Sequence, residues 1–378
     1  MTLPPLCLTN ATVLRPDGFS NAPLSLAGGR VVASGGRSVN LTGYMVLPGI
    51  IDLHGDGFER HLAPRRGAQT DLLAGLQAVD AELASNGITT AMLAQFFSWE
   101  GGLRNPDFAE RVADSLARVD TLTDMRLQLR LEVNLLDAYD RALALVRRAG
   151  IGLVTFNDHL PHKHLAEGRT PPRLTGQAIK SGRSPEAHHA LLKRLHENGP
   201  QVPAALARLA AVLMADGVLL GSHDDTTPGD RDRAHAIGAR LAEFPETLAA
   251  ARAAHAAGDP VVMGAPNVVR GGSHDKKVSA EAVIRDGACD ALASDYHYPA
   301  PRHAAFALAD RGAMPLAEAW ALISARPAAV MGWTDRGWLE TGARADLVII
   351  DRATRRVAAT LAGGQIAYLC GPLAARFV

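Results

Sequence analysis

The sequence predicts an α/β fold: a (β/α)8 barrel flanked by β-rich segments at both chain ends. Three observations carry the prediction. Between residues 46 and 335, short apolar runs alternate with alanine- and leucine-rich helical runs, the order of a parallel sheet with crossover helices. Eight such strand runs can be counted, the number a closed barrel needs. The two chain ends read differently, as short strands with turns and no helices between them.

The N-terminal stretches CLTNATVL and PLSLAGGRVVASGG alternate apolar and polar residues between Gly, Asn and Pro breaks. The barrel strands are predicted at Val46–Asp52, Ile88–Phe97, Arg126–Val133, Ile151–Phe156, Gly217–Gly221, Ala239–Phe244, Val261–Ala265 and Ala288–Ala293. The sixth of these runs straight out of a helical pattern. Helices fit at Asp71–Asn86, Asp107–Asp120, Ala138–Gly150 and Pro245–Gly258. Residues His162 to Ser184, polar, basic and rich in Pro and Gly, read as a long loop after the fourth strand, a length that usually covers a site or is disordered. At the C-terminus, WLETGARADLVIID and LAGGQIAYLCG return to strand-turn-strand patterns.

Composition narrows the class. The chain has 378 residues, 47% of them hydrophobic, enough for one large barrel with a small accessory module. Aromatics are only 5%, so the core must be aliphatic. Acidic and basic residues balance at 39 each, which argues against a nucleic-acid or membrane-surface partner while leaving room for a local basic pocket. Cys7, Cys289 and Cys370 lie far apart and form neither a disulfide framework nor a thiolate zinc site. No signal peptide and no run of roughly 18 apolar residues is evident. A cytoplasmic location is the expectation. A homo-oligomer is left open.

One pattern recurs along the strands: an apolar run ends in His, Asp or Glu. LPGIIDLHGD ends at His54 and Asp56. Residues i and i+2 of an extended chain point the same way, so both can reach one cation. The third strand delivers Glu132. The fourth ends at Asp158 and His159, the fifth at His223 followed by Asp224 and Asp225, and the eighth at Asp295. A parallel barrel gathers such ends on one face. Any one of these residues alone reads as a satisfied polar group, and Glu132 could simply pair with Arg130. Five strands ending this way point jointly to a metal site.

Imidazole and carboxylate donors suit zinc, with manganese or iron as alternatives. Several carboxylates and imidazoles could hold two divalent ions roughly 3.5–4 Å apart. Such ions lower the pKa of water to about 7. Asp295 would then orient that water and take its proton.

A second stretch, VVMGAPNVVRGGSHDKK, follows the seventh strand. Its Gly-Gly-Ser exposes backbone N–H groups beside Asn267, Arg270, Ser273 and His274, a combination that suits phosphate oxygens or, more blandly, a tight surface turn. RHLAPRRG adds Arg60, Arg65 and Arg66, either as a rim for anions or as a solvated loop.

These motifs carry a resemblance. LPGIIDLHGD together with ETGARADLVIID is similar to the amidohydrolase superfamily. The segments DLHGDGFER, FNDH, SHDDTTP, AEFPET, MGAPNVVRGGSH and ASDYHYPAP resemble one branch of it, the triphosphate diphosphatases of phosphonate degradation. The resemblance runs over nearly the whole chain. It implies a barrel over 46–335 and a small β-sandwich made from 1–45 and 336–378. It also implies hydrolysis of a small phosphorylated substrate, with release of pyrophosphate. On this basis His54, Asp56, Glu132, His159, His223 and Asp295 would hold metal, with Asp295 also handling the proton, and Arg65, Asn267, Arg270, Ser273 and His274 would bind the polyphosphate.

The chain departs from the commoner pattern in three places. Asp56 stands where HxH is usual. His159 and His223 fall on strands four and five rather than five and six. His297 is inserted in Ser294-Asp295-Tyr296-His297-Tyr298-Pro299. Two other functions compete: hydrolysis of a C–N bond by the same metals, which would not need the basic stretches, and an inactive scaffold, which would not need intact His54, Asp56, His223 and Asp295.

Overall fold

The computed structural model describes residues 3–65, 68–69, 71–272 and 277–377. Eight parallel strands form one sheet whose order follows the chain: β1 (Ile50–Gly55), β2 (Ile88–Phe97), β3 (Asp124–Glu132), β4 (Leu153–Asn157), β5 (Leu219–His223), β6 (Ala239–Glu243), β7 (Val261–Gly264) and β8 (Ala291–Ala293). A bridge between Gly55 and Asp295 ties the segment after β8 back to β1. Helices stand between successive strands, among them Leu72–Ser85, Pro106–Leu116, Tyr139–Ala149 and Leu248–Ala256. This is the (β/α)8 barrel that the alternating pattern predicts.

Two further sheets come from the chain ends. One has four strands, in the order Arg30–Val32, Leu24–Ala27, Leu6–Thr9, Arg37–Asn40. The other has six: Gln365–Leu369, Val357–Ala362, Leu347–Asp351, Tyr44–Pro48, Thr12–Arg15, Gly18–Ser20. Alternate residues such as Leu6, Leu8, Val46, Leu347 and Ile349 bury into one apolar cluster. By contacts the chain divides into two compact units. The first comprises 1–93, 119–126 and 262–378, and the second 94–118 and 127–261.

Local chemistry sets the element boundaries. Asp71 caps Leu72–Ser85 by accepting from the Leu73 N–H. Asn105 caps the next helix, with Pro106 at its first position, so this helix starts earlier than the hydrophobic pattern alone suggests. Thr227 and Asp230 form a reciprocal capping box at the start of Pro228–Ala236.

Three expectations are corrected. The run Val46–Asp52 is not one strand. Tyr44–Pro48 pairs antiparallel with Leu347–Asp351, Val46 opposite Ile349, whereas Ile50 opens the barrel sheet opposite Ile88. The break falls at Gly49, where a Cβ would drive into the Thr89 side chain. The seventh strand stops at Gly264, because Ala265-Pro266 opens the short helix Ala265–Arg270. The expected loop from His162 to Ser184 is largely helical, with helices His162–Ala166 and Leu174–Ser181 leading into Pro185–Glu197. Its scattered leucines explain this: Leu165 and Leu174 bury with Leu160, Leu192, Leu195 and Trp99. Because these partners are distant in sequence, no periodic stripe announced the helices.

Gly49→Ala should therefore lower the stability of the fold by about 1–3 kcal/mol, the cost of overpacking a tight site. Gly152, where an added Cβ meets nothing, serves as the control, and Gly152→Ala should stay within about 0.5 kcal/mol of the parent. Urea unfolding of both variants checks this; equal midpoints would show that Gly49 does not set the break.

Candidate metal centre

In the first unit the cluster is built by joining β1 to β8. Asp52 lies fully buried in β1 and accepts two hydrogen bonds from Ser294, from the backbone N–H at 2.8 Å and from Oγ at 2.5 Å. Burial pushes the Asp52 carboxyl upward, and the Ser294 hydrogen bonds oppose that shift. One step further along, the Asp295 N–H donates to His54 O at 2.9 Å and the Asp56 N–H donates to Asp295 O at 2.8 Å. Gly55 sits inside this seam. A Cβ there would come within 2.7 Å of both the Asp52 carboxylate and the Tyr298 ring. Asp295 adopts a left-handed backbone, φ 56°, unusual for a residue with a side chain. The donor atoms of His54, Asp56 and Asp295 then lie within 4.8 Å of one another. One imidazole and two carboxylates suit zinc, manganese or iron, so these residues fit a divalent ion.

The second unit presents another such group, Glu100, Glu132 and His159, again within 4.8 Å. Glu132 ends β3 and is fully buried. It accepts from Trp99 Nε1 at 3.1 Å and from the His159 backbone N–H at 3.2 Å, and it contacts His159 Nδ1. Burial pulls the His159 imidazole down, but the hydrogen bond and charge of Glu132 outweigh it, so the net shift is upward.

His223, the last residue of β5, contacts Glu243 Oε2 through Nδ1 at 2.8 Å. Its Nε2 faces Arg130 Nη2 at 2.9 Å. Burial first, then the Arg130 charge, lower its pKa to about 4, so the ring is neutral at pH 7. The acids beside these residues have other partners. Asp158 accepts from Asn134 at 2.8 Å and meets His162 Nε2 at 2.9 Å. Asp225 is bonded to Ser222 and to the buried Arg231.

Sequence reasoning passed over Asp52, Glu100 and Glu243. Glu243 ends β6 as Glu132 ends β3, so the rule of strands ending in an acid would have found it had the sixth strand been closed one residue earlier. Asp52 was legible only as a strand residue. The eight strands place His159 after β4 and His223 on β5, so the offset from the commoner superfamily pattern does not come from an overlooked strand.

Of the expected anion-binding residues, Arg65 is exposed. Arg60 donates to Tyr296 O at 3.1 Å and is salt-bridged to Glu82. Asn267 accepts from the Ala280 N–H at 3.0 Å, holding the start of the next helix. Arg270 is exposed, its guanidinium 5.6 Å from the centre of the Tyr296 ring. His297 is exposed as well. Arg66, Ser273 and His274 lie outside the described residues. Among the described residues no helix is long and apolar enough to cross a membrane.

Comparison with known proteins agrees with this construction. A family model described as Amidohydrolase family matches residues 199–368. The α-D-ribose 1-methylphosphonate 5-triphosphate diphosphatase of Escherichia coli (strain K12) is 32% identical over 328 residues, covering 83% of this chain and 85% of its own length. Two solved structures share the fold. One is a Xaa-Pro dipeptidase with bound methionine, 12% identical with a TM-score of 0.66, covering 97% of this chain and 100% of that one. The other is the N-acetylglucosamine-6-phosphate deacetylase from Pasteurella multocida, 13% identical with a TM-score of 0.61, covering 96% and 99%. With an eight-stranded parallel barrel, clustered imidazoles and carboxylates, and a relative matching over most of its length, the chain belongs to the amidohydrolase family.

Proposed function

We propose that this chain hydrolyses α-D-ribose 1-methylphosphonate 5-triphosphate to the 5-monophosphate and pyrophosphate, using divalent metal, most simply zinc. The observation that carries the proposal is the 32% identity to the Escherichia coli diphosphatase over most of both chains. The clusters His54–Asp56–Asp295 and Glu100–Glu132–His159 support the metal dependence. A divalent ion held there would offset charge on the phosphoryl oxygens and lower the pKa of water.

The chain's own residues supply the rest. Asp295 is fixed by two backbone hydrogen bonds, so its carboxylate is held ready to orient a water and accept its proton. Its constrained backbone lets it do this with little reorganisation. Arg270, exposed at the end of the helix after β7, supplies a planar cation for the leaving pyrophosphate. Arg65 belongs to the same anion-binding role. Ser273 and His274 complete that role on sequence grounds.

Metal-loaded protein should release pyrophosphate from the triphosphate, and a chelated control should not. Absence of release at full metal loading would redirect the search to C–N substrates. Asp295→Asn should lose turnover by about 10²–10⁴-fold, the usual worth of a positioned proton acceptor, while the folded protein persists. Normal turnover in that variant would remove Asp295 from the proton's path. Arg270→Ala should raise KM for the triphosphate by about tenfold, matching the loss of a charged hydrogen bond of about 1.5 kcal/mol. A drop in kcat with KM unchanged would count against a binding role.

A further inference from the structure

The loop after β2 carries a tryptophan whose polar edge is committed to an acid. Trp99 is buried, and its indole Nε1–H donates to Glu132 Oε2 at 3.1 Å. The same oxygen accepts from the His159 backbone N–H at 3.2 Å. A carboxylate oxygen has two lone pairs, so these two donors satisfy Oε2. Oε1 is the oxygen that meets His159 Nδ1 and is left to a cation. Glu100, Glu132 and His159 offer two carboxylates and an imidazole, a set that fits a divalent ion.

Trp99 is itself held by a segment far along the chain. Its backbone carbonyl accepts from Arg183 Nη1 at 2.8 Å. Its ring lies 5.9 Å from that of the buried His188, tilted by 42°. Leu165, Leu174, Leu192 and Leu195 pack with it. Two residues on, the loop runs hard against the same segment: a Cβ on Gly101 would come within 2.6 Å of the Ser181 Cβ. Packing alone explains a buried ring. It does not explain why the single donor of the indole is spent on a carboxylate, where it fixes which oxygen faces His159.

We infer that Trp99 is a positioning residue for Glu132: the indole N–H ties up one carboxylate oxygen and turns the other towards His159, so that Glu132 serves a metal through Oε1 alone. The helices Leu174–Ser181 and Pro185–Glu197 are the brace that keeps the indole in place. The inference rests on the metal-dependent reading above and adds to it a residue that acts through a ligand.

The test reads metal affinity rather than turnover. Full-length protein, stripped with chelator, is titrated with zinc against a chromogenic competitor, and the metal-free samples are unfolded in urea. Trp99→Phe keeps a ring in the leucine cluster and removes the N–H. It should bind as many zinc ions as the parent, with the affinity of one weakened about 10–100-fold, the usual effect of losing a group that orients a ligand. Leu192→Ala opens the same cluster and leaves the indole N–H in place. It should lower the urea midpoint and weaken zinc less than Trp99→Phe does. Unchanged zinc affinity in Trp99→Phe, or equal weakening in the two variants, would make Trp99 a packing residue and overturn the inference.

Should Trp99→Phe fail to fold, the parent decides. With nitrogen-15 in its tryptophans, the Trp99 indole N–H signal should resist solvent exchange and shift on zinc saturation. A Trp99 signal indifferent to zinc would refute the proposal. A chain that bound no zinc at all would overturn this inference and the metal-dependent reading together. Zinc bound as expected without cleavage of the triphosphate would count against the proposed substrate alone.

Discussion

The joining of β1 to β8 is the constraint on which the first candidate metal cluster depends. The two strand ends are far apart in sequence, and a buried carboxylate, Asp52, welds them by accepting from both the backbone and the side chain of Ser294. A buried acid without such donors would be strongly destabilising. The weld has a directional consequence. It sets the register in which Gly55 bridges Asp295, and through the hydrogen bonds between His54, Asp56 and Asp295 it brings one imidazole and two carboxylates together. Gly55 is obligatory because a side chain would occupy the space where Asp52, Tyr298 and Ser294 meet.

The second unit solves a related problem twice. Glu132 and Glu243 are both fully buried at strand ends. Each meets the Nδ1 edge of one histidine, His159 or His223, and each takes a further donor, Trp99 or Gln128. The parallel stops at the far side of the rings. There His223 is met by Arg130, whose charge adds to burial in keeping the ring neutral. The helices between β4 and β5 support this arrangement indirectly. They bury their leucines around Trp99, and the Trp99 indole in turn holds Glu132.

Among the described residues, three of the six non-glycine residues with left-handed backbone stand at these same strand ends. Asp224, Phe244 and Asp295 directly follow or nearly follow β5, β6 and β8. Such conformations cost of order 1–3 kcal/mol each and persist where the surroundings over-determine them. At Asp224 and Asp295 the surroundings include backbone hydrogen bonds to the neighbouring strand end, Asp224 N–H to Glu243 O at 3.0 Å and Asp295 N–H to His54 O at 2.9 Å.

Much of this protein was legible in the sequence. Alternation of apolar and helical runs is enough to call for a parallel barrel, because burial on both faces and crossover connections leave that periodicity in the chain itself. Polar residues closing apolar strands, such as His54, Glu132 and His223, were legible for the same reason: a strand end is a local event. What a side chain meets across the fold is not local. The close packing of Thr89 on Gly49, the burial of the 162–181 leucines around Trp99, and the pairing of His223 with Glu243 and Arg130 on other strands are of this kind. The sequence by itself determined the elements and the donors available. The tertiary structure alone decided which donor faces which, because hydrogen bonds and close contacts between distant residues depend on register and packing rather than on spacing along the chain.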